Sequence, residues 1–304
     1  MKPREYSIHL HDANRQIGIT DLGFIMLHRG RESWPLERSL GQLLPYRGFE
    51  AICLLDEASS ANDISYFSRT YPWITFIVVD DSMTVPHRIQ VAVTELHATY
   101  FLLFWGDMEL ITQPDPRILR WIRAHSAVCA TPVLYHPDDV LVPTLAAPVM
   151  DQYRIGTLSF FPNEDGEATL YPHDFTGIYN RSSFLKVGGV MPGFSSSYWA
   201  LLDYGVRVWM REERILSCTG FVCRYAEESL PLDTSENRDA MLFMQRNGSF
   251  SVESGQVRFS RKQTRKFQIT SPAEQRRIQE LHSRARRDLY SLISEWKPPQ
   301  GRVE

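Results

Sequence analysis

The alternation of short apolar runs with helical patterns in the first 110 residues is the feature that most constrains the fold of this chain. The apolar runs, rich in β-forming residues, are Gly23 to His28, Ala51 to Leu55, Trp73 to Val79 and Tyr100 to Trp105. Leucines at positions 36, 40, 43 and 44, and apolar residues between Arg88 and His97, recur with the period of an amphipathic helix. Strands that alternate with helices predict βαβ units and a mainly parallel sheet, so the chain belongs to the α/β class.

Polar side chains follow each predicted strand at the point where the strand ends. They are His28 and Arg29, Asp56 and Glu57, Asp80 and Asp81, and Asp107 with Glu109. In open α/β sheets, ligands bind in the crevice beyond the carboxyl ends of the strands. Each cluster taken alone is more typical of a helix cap or a turn, but their shared location favours a binding site.

The second half of the chain has a less regular pattern. Residues 130 to 175 contain six prolines, which predict loops and edge strands over the sheet. The run from Ser182 to Val187 predicts a short helix that Gly188 and Gly189 stop. A capping box at Ser271 begins an amphipathic helix that we expect to continue to Trp296.

Composition excludes several classes of protein. With 304 residues, 43% of them hydrophobic and 23% charged, the chain is typical of a globular protein. The four cysteines are scattered and lack the C-x-x-C spacing of zinc sites, which predicts a reducing compartment. The N-terminal residues lack the apolar core of a signal peptide, and no apolar run approaches the ~20 residues that span a bilayer. We therefore expect a cytoplasmic protein.

Several common catalytic motifs are missing from the sequence. It contains no G-x-G-x-x-G, no Walker loop and no G-x-S-x-G, which disfavours dinucleotide enzymes, P-loop enzymes and α/β-hydrolases. Its nine histidines form no H-E-x-x-H pattern, so the sequence does not support a zinc hydrolase.

Four segments together resemble the family-2 glycosyltransferases, which share the nucleotide-sugar-binding GT-A fold. They are IMLHRGRESWPLERSL at 25–40, LLDEAS at 54–59, YFLLFWGDMEL at 100–110 and TGIYNRSSFLKVGG at 176–189. The family has, in the same order, a strand followed by Tyr-Asn, then Val-Asp-Asp-Gly-Ser, a strand ending in Asp-x-Asp, and a segment ending in Gly-Gly. The resemblance implies a Rossmann-like mixed sheet flanked by helices, to which this chain adds its C-terminal amphipathic helix.

The resemblance also implies a domain organisation. Residues 1–257 are expected to form the GT-A domain, with a nucleotide half at about 20–110 and an acceptor half at about 111–225. Residues 258–304 follow as a basic helical extension. The donor implied is a nucleotide-diphosphate sugar, and the acceptor is a glycan, a lipid-linked molecule or a protein.

The same resemblance assigns roles to individual residues. The residues expected at the nucleotide sugar are His28, Arg29, Asp56, Glu57, Asp81 and Asp107. Asp107 and Glu109 are expected to hold a divalent metal, Mn or Mg, on the donor diphosphate. The residues expected at the acceptor are Gly188, Gly189, Tyr198 and Trp199, and the candidates for a catalytic carboxylate are Asp203 and Asp174.

Three positions depart from the family pattern. Trp105 stands where the first acid of Asp-x-Asp is expected, and it has no oxygen to offer a metal. Ala200 and Leu201 stand where the family has the Glu-Asp pair that holds its general base. No histidine occurs in the region from 223 to 229, where the family has a further metal ligand.

These observations leave three functions open. The first is hexosyl transfer from a nucleotide-diphosphate sugar, inverting by resemblance, with a rearranged set of acids. The second is a catalytically degenerate relative that binds nucleotide sugar or glycan, or acts as a scaffold partner. The third is a nucleotidyltransferase, although that class needs a Gly-rich basic loop after the first strand and HRGRES is only weakly similar to one.

The near-neutral net charge of −3 conceals two unlike segments. Residues 258–304 hold 12 Lys and Arg against 5 Asp and Glu, a net charge of +7, so the remainder carries −10. A solvated helix face explains such a segment as well as attachment to an anionic membrane does. The overall net charge of −3 leads us to expect no nucleic-acid partner. A peripheral contact with the inner face of the membrane through 258–304 stays open.

Overall fold

The computed structural model describes residues 6–10, 21–29, 35–57, 64–151, 154–228, 232–235, 238–269 and 271–298. Its strands are β1 (Tyr6–His9), β2 (Leu22–Leu27), β3 (Glu50–Asp56), β4 (Ile74–Val79), β5 (Tyr100–Trp105), β6 (Met108–Leu110), β7 (Ala127–Tyr135), β8 (Leu145–Asp151), β9 (Arg154–Phe160), β10 (Gly177–Asn180), β11 (Arg214–Tyr225), β12 (Ser251–Glu253) and β13 (Gln256–Arg258). Its helices are α1 (Leu36–Gly41), α2 (Ile64–Thr70), α3 (Val85–Glu95), α4 (Pro116–Ala124), α5 (Arg181–Val187), α6 (Ser197–Met210), α7 (Arg238–Asn247), α8 (Arg261–Lys266), α9 (Pro272–Leu281) and α10 (Leu289–Glu295).

The main sheet is mixed and has the strand order β1-β4-β3-β2-β5-β10-β7-β11-β6. Strands β4, β3, β2 and β5 are parallel neighbours, which confirms the parallel sheet predicted for the first half. Strand β10 then pairs antiparallel with both β5 and β7, and this joins the two halves into one sheet. Residues of β2 and β5 are buried along their whole length, as expected for strands that helices cover on both faces.

The Pro-rich region was predicted to form loops and edge strands, but its strand β7 lies in the interior of the main sheet. Strand β7 pairs in parallel with β11, and β8 pairs with β9 in a separate two-stranded sheet. Pro132 is tolerated inside β7 because the register of β11 is interrupted between Ser217 and Val222, opposite this proline. Pro148 lies in the two-stranded sheet, where each strand has a free edge.

The predicted stop of the helix before Gly188 is confirmed. Helix α5 ends at Val187, and Gly188 caps it with a left-handed backbone at φ +95°. The guanidinium of Arg207, in α6, donates to the carbonyl oxygens of Val187 at 2.6 Å and Gly189 at 2.7 Å. These two hydrogen bonds therefore attach the turn at Gly188 and Gly189 to helix α6.

The stretch from Ser271 to Trp296 forms two helices, α9 and α10, where we predicted one. Helix α9 ends at Leu281, and Asp288 caps a new helix, α10, by accepting a hydrogen bond from the Ser291 amide at 2.9 Å. The break lets the amide of Arg286 donate to the carbonyl of Met210 at 2.7 Å, at the end of α6. The apolar side chains of the segment join the main core, and they are Ile278, Ala285, Leu289 and Leu292.

No helix within the described ranges combines the length and the hydropathy needed to cross a membrane.

Candidate functional site

The carboxyl ends of β2, β3 and β5 lie side by side. The His28 amide donates to the Leu54 carbonyl at 3.1 Å, and the Gly106 amide donates to the Leu27 carbonyl at 2.7 Å. Burial lowers the pKa of His28, and the nearby carboxylates of Asp56 and Asp107 oppose that shift. The strand-end residues therefore form one row along a single edge of the sheet, as their positions in the sequence suggested.

Helix α1 fixes the turn that carries Asp107. The Ser39 hydroxyl donates to the Gly106 carbonyl at 2.7 Å. The side-chain amide of Gln42 donates to the Met108 carbonyl at 2.8 Å and accepts from the Leu110 amide at 3.0 Å. Because α1 and its capping residue bond the backbone on both sides of Asp107, the turn that carries this residue is fixed at the end of β5.

Arg29 links the two halves of the domain at this edge. Its Nη2 donates to Oδ2 of Asp174, and its Nε lies 3.8 Å from Oδ1 of Asp107. The guanidinium carbon lies 3.9 Å from the centre of the Trp105 ring, which fixes the plane of the charged group. The Trp105 indole also donates to the Asp174 carbonyl at 2.9 Å. An acid from each half therefore converges on one guanidinium.

Asp174 lies in a strained turn. Residues His173–Phe175 form a 3-10 turn in which Asp174 and Phe175 have φ angles of 48° and 61°. Left-handed backbone at two successive non-glycine residues costs of order 1–3 kcal/mol for each residue and is concentrated at functional sites. The Tyr179 hydroxyl holds the turn by donating to the Phe175 carbonyl at 2.6 Å.

Tyr225, at the end of β11, completes the surroundings of Asp174. Its hydroxyl donates to Oδ2 of Asp174 at 3.2 Å, and its ring stacks near His136 with 6.4 Å between centroids. Burial raises the pKa of Asp174, while the positive charge of Arg29 lowers it in part. Burial also lowers the pKa of His173. We did not predict Tyr225, although it lies in the region where the family has a histidine.

The carboxylates predicted to hold a metal face arginines instead. Asp107 pairs with Arg29, and Glu109 lies 3.1 Å from Arg38 and 3.8 Å from Arg224. In the part of the chain that the structure describes, no three His, Cys, Asp or Glu side chains are grouped to hold a metal ion. Asp107 and Glu109 therefore both lie beside arginines in this structure, and the metal site that the resemblance implies stays a prediction.

Asp203 lies in the core and away from solvent. Its side chain is fully buried, and its Oδ2 accepts from Nε of Arg207 at 2.9 Å. Its Oδ1 accepts from the side-chain amide of Asn247 at 2.9 Å. Ala200 and Leu201, at the positions of the family's general base, are also fully buried. Asp203 is thus placed as a structural ion-pair partner, whereas Asp174 is the catalytic candidate that lies in the crevice.

The two aromatic residues predicted to contact the acceptor are buried in the core in this structure. Tyr198 and Trp199 are both 3% exposed, and their rings pack edge to face at 5.1 Å. The Trp199 indole donates to the Ser235 carbonyl at 3.0 Å. Neither ring therefore has a free face for a sugar. Gly188 and Gly189 belong to the turn that Arg207 fastens.

A cavity of about 660 Å³ opens at the ends of β3 and β4. Its polar lining comes from Glu57, Asp80, Ser82, Thr84 and His87, and Pro192 and Gly193 close it from the second half. Asp81 is exposed in the same loop. Residues 30–33 of HRGRES, and residues 58–59 of LLDEAS, lie outside the described residues.

Arg88, in α3, is a second cation in the row and was not predicted. Its Nη1 lies 3.7 Å from Oδ2 of Asp56, and its Nε donates to the Met83 carbonyl at 2.8 Å. A cation in the first turns of a helix carries no distinctive sequence pattern, so only the tertiary contact with Asp56 identifies it.

Solved structures share this architecture. The structure of GalNAc-T7 with UDP, GalNAc and Mn²⁺ matches 90% of this chain and 56% of its own length, with a TM-score of 0.60 and 9% identity. The structure of residues 1–349 of S. aureus TarS matches 74% of this chain and 64% of its own, with a TM-score of 0.54 and 13% identity. A complex of the same TarS fragment with UDP-GlcNAc has the same TM-score and identity.

These likenesses show the GT-A fold, which confirms the fold implied by the sequence. The chain spans less than two thirds of the length of each of these three matched structures. No model of a protein family matches the sequence, and no curated protein matches it either.

Proposed function

We propose that this chain transfers a sugar from a nucleotide-diphosphate sugar to a hydroxyl of a glycan, lipid-linked or protein acceptor. The observation that carries the proposal is the convergence of Asp107 and Asp174, one from each half of a GT-A domain, on Arg29. A transfer reaction needs donor and acceptor to meet at a charged centre, and this cluster lies where the two halves join. The UDP and UDP-GlcNAc in the GalNAc-T7 and TarS structures support a nucleotide-sugar donor.

The donor in this proposal lies across the carboxyl ends of β2 to β5. The 660 Å³ cavity takes the nucleoside, because its carboxylates accept hydrogen bonds from base N–H groups and its hydroxyls suit a ribose. Glu57 lines this cavity and Asp56 lies near His28, so in this proposal the diphosphate lies over His28 and Arg29. The sugar then extends towards Asp174 in the acceptor half.

Asp174 is the proposed general base. The acceptor oxygen attacks the anomeric carbon as its proton passes to the carboxylate, and the nucleoside diphosphate leaves with the bonding electrons. Burial raises the pKa of Asp174, which makes the group a stronger base than an exposed aspartate. Arg29 and Tyr225 both donate to Oδ2, so the carboxylate is held with Oδ1 as its other acceptor atom.

The proposal is tested by calorimetric titration with uridine, guanosine and thymidine diphosphate sugars. We expect saturable binding of one base series, and release of the nucleoside diphosphate when acceptor is present. Glu57→Ala is expected to weaken that binding by about 10-fold, because a carboxylate that lines the cavity, and with it one charge-assisted hydrogen bond to the base, is lost. Asp115→Ala, at an exposed helix cap, serves as the control and should bind normally. If none of the three series binds, the proposal is wrong.

A catalytically degenerate binding protein or scaffold partner is the second candidate. Ala200 and Leu201 favour it, because both are buried where the family has its catalytic pair. This candidate predicts that a nucleotide sugar binds but is never consumed, even slowly by water. Measured turnover of the donor, lost in Asp174→Asn, would exclude it.

We further propose that the exposed cations of the C-terminal segment attach the protein to an anionic membrane surface on the cytoplasmic side. Exposed on this segment are Arg261, Lys262, Arg265, Lys266, Arg276, Arg277, Arg284 and Arg286. Each contributes on the order of 1 kcal/mol near such a surface at low salt. Trp296 does not add an apolar anchor, because its ring packs against Trp209 at 4.8 Å.

The membrane proposal predicts co-sedimentation with phosphatidylserine vesicles and none with phosphatidylcholine vesicles. Binding should decrease as salt rises, and a fourfold variant with Glu at positions 261, 262, 265 and 266 should stay in the supernatant. Equal recovery of the protein from both kinds of vesicle, or from neither, would contradict the proposal.

A further inference from the structure

We infer that this crevice binds the donor diphosphate without a divalent cation, with the Arg29 guanidinium supplying the positive charge between Asp107 and Asp174. The inference rests on the proposed function and specifies the chemistry of its donor site. It departs from the metal that the sequence resemblance implied and that is present in the GalNAc-T7 structure.

The position of Arg29 is the first argument. Two carboxylates from opposite halves of the domain converge on its guanidinium, as they would on a metal ion. The Trp105 ring lies against one face of the group at 3.9 Å. Trp105 stands where the family has an acidic metal ligand. The same tryptophan that replaces this ligand packs against the Arg29 guanidinium.

Glu109, the other acid predicted to bind a metal, does not offer an alternative metal site. Glu109 contacts two arginines, Arg38 and Arg224, on opposite oxygens. Mg²⁺ and Mn²⁺ prefer about six oxygen ligands, and carboxylates supply the charge that holds them. An ion at Asp107 would meet the like charge of Arg29, whose Nε lies 3.8 Å from Oδ1 of that carboxylate. The residues present therefore fit a guanidinium better than they fit a metal.

Arg29 retains donors for a ligand. A guanidinium has five N–H groups, and in the described part of the chain Arg29 uses its Nε and Nη2 towards Asp107 and Asp174. Its side chain is 13% exposed, so the residue is not closed off from solvent. Nη1 and the second Nη2 hydrogen match the spacing of phosphate oxygens, which guanidinium groups bind in pairs. The two carboxylates orient the group for that contact.

The role of Arg29 in transfer follows from this contact. As the bond from the anomeric carbon to the β-phosphate oxygen breaks, its electron pair goes to that oxygen. The new bond forms to the acceptor oxygen, whose proton passes to Asp174. The charge that develops on the phosphate is stabilised by Arg29 without a proton transfer, because guanidinium stays charged throughout.

The test is calorimetric titration of the full chain with UDP, GDP and dTDP, each in EDTA and in Mn²⁺. We expect the Kd of the bound diphosphate to agree within about twofold between the two conditions. Arg29→Ala should weaken binding about 10- to 100-fold in both conditions, and Arg29→Lys should recover only part of it. Arg117→Ala, which removes an exposed arginine, is the control and should leave the Kd unchanged.

A second readout follows Mn²⁺ alone by electron paramagnetic resonance. Wild-type protein should leave the Mn²⁺ signal unchanged, whereas Arg29→Ala removes the cation between Asp107 and Asp174 and should gain a weak Mn²⁺ site. The double variant Arg29→Ala, Asp107→Asn should lose that site again. This gain does not depend on nucleotide binding, and a thermal melt confirms that each variant is folded.

The outcomes separate the inference from the proposed function. Diphosphate binding that Mn²⁺ strengthens 10-fold or more (about 1.4 kcal/mol) would overturn the inference and leave the function standing. Metal-independent binding that Arg29→Ala does not weaken would also overturn it. If none of the three diphosphates binds with or without Mn²⁺, both the inference and the proposed function are wrong.

Discussion

Arg207→Met is expected to lower the free energy of unfolding by about 3–5 kcal/mol, since removing one partner of a buried ion pair leaves the other charge without compensation. Arg207 and Asp203 are both fully buried and lie four residues apart on α6. The guanidinium also satisfies the carbonyls of Val187 and Gly189. The substitution therefore removes the donor to Oδ2 of Asp203 and to two carbonyl groups, and Asn247 stays as the donor to Oδ1.

The measurement is urea unfolding followed by circular dichroism. Arg117→Met is the matched control, because Arg117 forms an ion pair with Asp115 at the surface and its loss is expected to leave the free energy of unfolding nearly unchanged. The double variant Asp203→Leu, Arg207→Met should recover part of the loss, because it removes the buried charge. A loss in Arg207→Met no larger than in the control would show that the pair is not buried as described.

Asp174→Asn is expected to reduce the turnover of the nucleotide-sugar donor by about 10² to 10⁴, which is the usual contribution of a positioned general base. Asparagine keeps the size of the side chain and still accepts from Arg29 and Tyr225, so binding of the donor should change little. Because burial raises the pKa of Asp174, activity should fall on the acid side at a higher pH than for an ordinary aspartate. The carboxylate must be deprotonated to accept the proton, so activity rises as pH increases through this pKa.

The measurement is steady-state release of nucleoside diphosphate across pH, with donor affinity followed by calorimetry. Asp165→Asn, at an exposed turn where the carboxylate accepts from Thr219, is the control and should keep full activity. Loss of donor binding in Asp174→Asn, instead of turnover, would assign the residue to the donor site. Unchanged turnover would remove Asp174 as the base.

The first half of the fold could be predicted from the sequence because its strands and helices follow from local patterns of apolar residues. Each strand from β2 to β5 is an apolar run, and parallel pairing places their polar ends at one edge whatever the details of packing. The second half was less accessible. Strand β7 depends on β10 and β11, and its Pro132 is acceptable only because of an irregularity in β11.

The difference between local and tertiary order also explains which site residues could be predicted from the sequence. The row from His28 to Asp107 follows from strand order, but Arg29 and Asp174 are 145 residues apart and meet only in the folded chain. Asp203 and Asp174 are both acids in apolar sequence surroundings, and no local pattern separates a buried ion pair from a crevice carboxylate. Burial and the partners of each oxygen are tertiary properties.

The contact between the last helices and α6 has a consequence for synthesis of the chain. Arg286 and Arg287 donate to the carbonyls of Met210 and Trp209 at the end of α6, and α10 packs on the same helix. At about 5–20 residues per second, a ribosome needs roughly 4 to 16 seconds to pass from Met210 to Leu289. During that interval the strands of the first half are complete, while the face of α6 that α10 covers stays exposed to chaperones and to other nascent chains.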